Sequence, residues 1–456
     1  YTDDAKVVAQ ITEQMKQVQA RMAEIPKLLA AARASLKNPP AVMLQTASRQ
    51  NRGAIRFYES GIFELVGKQF ATESFRSAAA GVARALREHQ KFLDEELASR
   101  ATGDWRIGKE KFARKLELEL NAGVTAEEVY RDAQAEFARV RRDMYVLARQ
   151  MWARAFPSQV LPPDDEAGRR ETIARVLDHH NQEHGKAENL VRDITAGVAR
   201  IKEFIRKKDI LRLPEPDRCE ITEMPEFQRG NTVAYMNNAP PLDPRARSVY
   251  AISPPPSDWD ARRKKSYLEE YNRHMLQILT IHEAYPGHYV QLEYSNRHPS
   301  LIRRVLFSGV FAEGWAVYSE QMMLDMGYGD GDLALRLNQL KFYLRAVANA
   351  ILDHRMHCTR LSDDEALKFL VQEAFQSEGE AVGKLIRAKQ SSVQLSEYFV
   401  GRMAFYRLRT AVQREQGERF SLGRFHEAVL DHGTLPVKYL PQLVRERLEK
   451  KRLKDE

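Results

Sequence analysis

The segment His282-Glu283-Ala284-Tyr285-Pro286-Gly287-His288 holds the residue types of a metal-assisted hydrolase. The short zinc-peptidase signature H-E-x-x-H works because His at i and i+4 share one helix face, with the Glu between them as general base. Here the second His stands at i+6. Six residues of ideal helix turn through about 600°, which leaves the two imidazoles about 120° apart. A regular helix cannot aim both at one ion. Pro286 has no N–H for the His282 carbonyl and distorts its own turn, and Gly287 tolerates unusual backbone angles. The expectation is a helix broken or bulged between His282 and His288, with both rings converging on one point.

A catalytic zinc takes three protein ligands and keeps a fourth position open. The candidate for the third is Glu313, in the segment Phe311-Ala312-Glu313-Gly314-Trp315-Ala316-Val317-Tyr318-Ser319-Glu320. Glu313 and Glu320 fall on one helix face, so one can ligate while the other orients a His from behind. The expected centre is therefore one Zn²⁺ held by His282, His288 and Glu313. Glu283 would act as base on water that the ion acidifies towards ~7, while the ion polarises a carbonyl. His179-His180 with His184 repeats the i, i+4 spacing, but Asn181, Gln182 and Glu183 make that stretch read as a solvated face.

These side chains need rigid elements to hold them. Most of the chain reads helical. Val82, Leu86, Leu93 and Leu97 fall at helical spacing, as do Val129, Ala133, Phe137, Val140, Met144 and Leu147 after the capping box Thr125-Ala126-Glu127-Glu128. Ser362-Asp363-Asp364-Glu365 opens another helix in the same way. Between Leu211 and Asp260 the prolines Pro214, Pro216, Pro225, Pro240, Pro241, Pro244 and Pro254 to Pro256 break any helix. Thr232 to Tyr235 and Ser248 to Ile252 read as short strands there. Ser266-Tyr267-Leu268-Glu269 is read as a further capping box, opening a helix whose stripe is Tyr271, Met275, Ile278 and His282. The organisation expected is a helical region 1–210, a Pro-rich, partly β insert 211–265, and a helical catalytic region 266–456.

With 456 residues and 43% hydrophobic side chains, the chain can bury a large interior. No apolar window approaches bilayer length, and no signal peptide stands at the start. The chain begins at Tyr1 rather than Met, so a trimmed N-terminus with a lost targeting segment is expected. The formal charge of +8 is spread over short runs such as Arg206-Lys207-Lys208, Arg262-Arg263-Lys264-Lys265 and Lys450-Lys451-Arg452. They are mixed with acids, so no nucleic-acid partner is expected. Two cysteines, Cys219 and Cys358, exclude a disulfide-rich scaffold and a four-Cys zinc site; one disulfide and two free thiols both remain open.

The motifs together resemble the bacterial family called domain of unknown function 885. Its H-E-x-x-P-G-H-x-x-Q stands as His282 to Gln291, and its E-G-W-A-x-Y-x-E as Glu313 to Glu320. Asp353 to His357 fits a D-x-x-x-H element, and Arg387, Gln394, Tyr398 and Gly401 fit an R…Q…Y…G segment. Phe425 to Pro436 fits a closing F-H-x-x-x-L-x-x-G-x-L-P. The likeness runs from about Leu97 to Val437. The chain departs from the family at Ser392-Val393, where Pro-Gly is usual, and at His354-Arg355-Met356, where a Gly is usual. Both departures bear on the cleft rather than on the ligands.

The resemblance implies a mainly α, zincin-like, peptidase-like architecture with a small β-rich insert. It singles out His357, Tyr398 and Arg402 as lining candidates, with Glu320, Asp353 and Arg387 as second-shell or cleft residues. Exported and lipoprotein members lead to the expectation of an exported location, beside a cytoplasmic one. The reading is a zinc metallopeptidase that cleaves peptide or related amide bonds, with Glu283 as base and Tyr398 or His357 steadying the oxyanion. The alternative is a non-catalytic protein that binds a peptide or envelope component on a degenerate peptidase scaffold.

Overall fold

The computed structural model describes residues 2–67, 70–224, 234–243 and 245–455. It divides into two compact units, Tyr1–Ile107 and Gly108–Glu456. In the first, α1 (Thr2–Ser35), α2 (Ala41–Arg56) and α3 (Glu73–Lys91) are the principal helices. Phe75, Ala79, Val82 and Leu86 of α3 pack with Met22 of α1. The stripe predicted through Leu97 leaves the α-helix at Phe92 and continues in a wider π-type turn, where Leu93 and Leu97 are still buried.

In the second unit, α4 (Ala126–Ala155) opens at the capping box read from the sequence. Glu128 N donates to Thr125 Oγ1 at 3.2 Å, and Thr125 N to Glu128 Oε2 at 2.8 Å. Its stripe from Val129 to Met144 is buried. Next come α5 (Glu166–Asn181) and α6 (Leu190–Lys207). The Pro-rich stretch then forms three strands inside the same unit: β1 (Cys219–Glu223), β2 (Ala234–Asn237) and β3 (Ser248–Ile252). The order is β1-β3-β2, with β1 parallel and β2 antiparallel to β3. The expected strand Ser248 to Ile252 is β3. Of the other, Ala234 and Tyr235 begin β2, while Thr232, Val233, Pro225 and Pro244 lie outside the described residues. β1 was not anticipated, because Cys-Glu-Ile-Thr-Glu is too short and too charged to show an apolar alternation.

Among the helices that follow are α7 (Ala261–Glu270), α8 (Arg273–Glu283), α9 (His288–Asn296), α10 (Gly309–Asp325), α11 (Leu333–Cys358), α12 (Glu378–Gln390), α13 (Glu397–Gln416) and α14 (Leu422–Leu430). Ser266 opens none of them. It sits inside α7, whose cap is Asp260, which accepts from Arg263 N at 2.8 Å. The chain leaves the helix at Tyr271 and restarts under Asn272, which accepts from His274 N and Met275 N at 2.9 and 3.0 Å. Two short polar caps thus divide what periodicity joined. The Ser362 box does form, over a helix only as long as Asp363–Lys368. Both cysteines are free and half-buried. No helix among the described residues is long and apolar enough to cross a membrane.

Two features tie this unit together. Gly314 of α10 meets Gly401 of α13 so closely that a Cβ on Gly401 would lie 2.6 Å from the Gly314 Cα. His426 of α14 is fully buried between Ile210 O and the Tyr318 hydroxyl, each 2.8 Å from a ring nitrogen. Burial pushes its pKa down to about 3, whereas the unfolded chain protonates near 6.5. Its contribution is therefore whole above pH 6.5 and is lost as pH falls towards 3. His426→Gln is expected to be less stable at pH 7, yet to lose stability between pH 6 and pH 4 by about 1.4 kcal/mol per pH unit less than wild type. Urea titrations across that range measure the slope, and equal slopes would rule out His426 as its source.

Candidate metal centre

The helix is broken where the spacing demands it. α8 ends at Glu283, and α9 begins at His288. Gly287 N donates to Ile281 O at 3.0 Å, and a Cβ on Gly287 would lie 1.8 Å from His282 O. The turn therefore folds back onto the end of α8 at a distance that only glycine allows. Trp315, buried in α10, donates from Nε1 to Pro286 O at 2.8 Å. The second motif thus holds the turn of the first.

This brings the three expected ligands together. Glu313 Oε2 lies 3.7 Å from His282 Nε2 and 3.5 Å from His288 Nε2. The two rings stand edge to face, with centroids 4.8 Å apart. Ligands bound tetrahedrally at about 2.0–2.1 Å are about 3.3–3.4 Å from one another, so the three could hold one ion after small adjustments. Glu313 Oε2 is buried and accepts no hydrogen bond, which a structure tolerates only when something else satisfies it. Behind His282, Nδ1 is 2.7 Å from Oε1 of the fully buried Glu320.

The charges agree with this. Burial opposes a charged His282, but Glu313 and Glu320 outweigh it and push the imidazolium up to about 10. Burial would likewise raise the Glu313 pKa, yet His282 and His288 hold it well below the usual carboxylate range. The pocket is thus built to contain positive charge. Burial raises the pKa of Glu283, against the pull of His288 and His282 and of the nearby Met236 backbone in β2.

A cavity of about 620 Å³ opens on His282, Glu283 and Glu320, with Ala234 on one wall and Arg387 and Tyr398 on another. Arg387 donates to Tyr398 Oη at 3.0 Å and to Gln394 Oε1 at 2.6 Å. Burial, and then the Glu313 charge, push the Tyr398 hydroxyl up to about 12, so it stays protonated and able to donate.

A family model described as bacterial protein of unknown function (DUF885) matches residues 6–444. The chain belongs to this family. The match takes in the first unit as well, beginning well before Leu97. Solved structures are similar as well, among them the following two. One is described as a "putative lipoprotein of unknown function" from Shewanella oneidensis. It is 32% identical with a TM-score of 0.81, over 95% of this chain and 78% of the other. The second, described as a "putative lipoprotein", is from Colwellia psychrerythraea. It is 20% identical with a TM-score of 0.78, over 96% and 76%, a likeness of fold. No curated protein matches.

Other residues that the resemblance singles out are held by contacts within the fold. His357 does not line the cavity. Its Nε2 lies 2.9 Å from Ala388 O and 2.8 Å from Ser391 O, and its ring stacks on Phe112. Arg402 is buried over the faces of Tyr343 and Tyr406, reaching Gln321 and Glu136. Asp353 accepts from Val393 N at 3.0 Å and from Ser396 Oγ at 2.8 Å, clamping the loop that leads to Tyr398. That loop is where the chain departs from the family pattern. Val393 takes a φ of +74°, a conformation that glycine adopts freely and a β-branched residue does not, and Asp353 holds it there. Gln291 donates to Thr434 Oγ1 at 2.6 Å, joining the first motif to the closing one.

Sequence reasoning missed the part played by β2. Nothing in its composition ties it to Glu283, because that pairing is made only by the fold.

Proposed function

We propose that this chain is a zinc-dependent hydrolase of peptide or related amide bonds. The observation that carries the reading is the convergence of His282, His288 and Glu313 Oε2 on one point, beside a cavity that His282 and Glu283 line. When bound, zinc supplies Lewis acidity towards a carbonyl oxygen and acidifies water.

The chain's own groups have separate tasks. Glu283 takes the proton of the attacking water and returns it to the leaving amine. Tyr398, kept protonated and oriented by Arg387, donates to the oxygen on which charge develops. Glu320 fixes the tautomer and direction of His282. Among the described residues β2 is an edge strand, so an extended substrate can add its backbone alongside, with its scissile bond over Glu283.

An exported location belongs to the same proposal and rests on the description of the two similar structures. Cell fractionation tests it, and an exclusively cytoplasmic pool would overturn it. The hydrolase reading is tested by measuring metal content after purification without chelators. A mixed peptide library is then assayed with and without 1,10-phenanthroline. Zinc-containing protein with chelator-sensitive cleavage is expected; metal-free protein with no zinc affinity ends the proposal. Glu320→Gln is expected to weaken zinc binding by about 10- to 100-fold, read by competition with a chromogenic chelator. Unchanged affinity would mean that His282 does not depend on its rear carboxylate.

A further inference from the structure

The helix that ends at His282 begins beside a second cluster that the hydrolase reading does not use. His180, near the end of α5, has Nδ1 2.7 Å from Glu183 Oε1. Glu183 Oε2 lies 3.5 Å from Nε2 of His274, at the start of α8. One ligand atom from each of the three residues lies within 4.8 Å of the other two. His274 is only 1% exposed, and neither of its ring nitrogens makes a hydrogen bond. Such a group in a native interior calls for an explanation.

The surroundings repeat those of His282. There, Nε2 faces Glu313, and Nδ1 faces the carboxylate of Glu320. At His274, Nε2 faces Glu183, and Nδ1 lies 3.6 Å from Asp332 Oδ2. Asp332 is itself held rigidly as the cap of α11, accepting from Ala334 N and Leu335 N at 2.8 and 3.1 Å. A carboxylate behind a histidine is the usual support of a metal ligand. The Nε2–Oε2 separation is close to the about 3.3–3.4 Å expected between tetrahedral zinc ligands. A cavity of about 570 Å³ reaches Glu183 from solvent, along Gly185, Arg273 and Gln277, so an ion has a way in. Arg273 now lies 3.1 Å from Glu183 Oε2 and is the cation that the ion would displace.

We infer that His180, Glu183 and His274 form a second metal site, which takes a divalent ion of the zinc type with two imidazoles and one carboxylate. By sequence, His180 belongs to a solvated face with His179 and His184. The fold instead turns His184 towards Gly185 O and stands the His180 ring edge to face with that of His274, centroids 6.0 Å apart. The site joins α5 to α8 and pins the end of α8 remote from His282, about 12 Å away along the helix. Its role is to fix the element that presents His282.

The test uses the full chain carrying His288→Ala, which disables the first centre and so keeps the two proposals apart. After incubation with Zn²⁺ and desalting, this protein is expected to retain close to one zinc per chain and to melt at a higher temperature with zinc than without. Adding His180→Ala, at a half-buried position that the fold tolerates better than a change at His274, is expected to remove both the ion and the shift. A single His288→Ala protein that retains no zinc overturns the inference. So does one whose zinc content and melting shift survive His180→Ala unchanged.

Discussion

Glu283→Gln is expected to leave the zinc content unchanged and to lower peptide hydrolysis by about 10²- to 10⁴-fold, the usual worth of a positioned general base. Glutamine keeps the shape of the side chain and its place at the last turn of α8, but it cannot take a proton. Glu283 is not among the three converging ligands, so losing its charge removes no donor from the ion. The loss should appear in kcat, with KM little changed, because proton transfer belongs to the reaction and not to substrate binding. Metal analysis and steady-state kinetics on one preparation decide it. Retained zinc with undiminished hydrolysis would falsify the assignment of Glu283 as base. Zinc lost together with activity would instead make Glu283 part of the metal's own support.

Gly287→Ala is expected to lower zinc affinity at the first centre by about 10²-fold or more, and to lower the melting temperature as well. The added Cβ would lie 1.8 Å from His282 O and 2.3 Å from Ile281 O. Both are backbone atoms at the end of α8, so no side chain can swing aside, and the turn must open. His288 follows directly and moves with it. A displacement of about 1 Å in a preorganised site is worth about 10²-fold. Gly81→Ala in α3 is the control, since its added Cβ meets nothing within 4 Å. It is expected to be neutral or to stabilise by about 0.5–1 kcal/mol through helix propensity. Chelator competition and thermal melts measure both variants. Equal zinc affinity in Gly287→Ala and wild type would show that the turn can relax without moving His288.

The break between His282 and His288 was legible in the sequence because a fixed angular increment per residue makes the longer spacing incompatible with one straight helix. The approach of Glu313 and Glu320 was legible through the same periodicity. What escaped were contacts that no local pattern encodes. Asn272 interrupts a stripe that seemed continuous from Tyr271, since a single polar cap outweighs weak helical propensity. His357 and Arg402 came from motif resemblance and went to hydrogen bonds with distant carbonyls and a buried Glu136 cluster. Arg387 and Tyr398, from the same resemblance, do line the cavity. A motif thus shows that a residue matters to the fold family without saying whether it meets solvent or the core. His274 carried no signal at all. Its partners come from α5 and the cap of α11, so only three-dimensional proximity reveals it.

The meeting of Gly314 and Gly401 has a consequence for how this cleft could diverge. Glu313 is the immediate neighbour of one glycine, and Tyr398 stands one turn before the other. The gap between them is set by two backbones in direct touch, with no side chain as spacer. That contact works as a gauge block. An alanine at either position would act as a shim, prying the wall that bears Tyr398 away from the wall that bears Glu313. A lineage could thereby widen its cleft for bulkier substrates by changing a residue that never touches them.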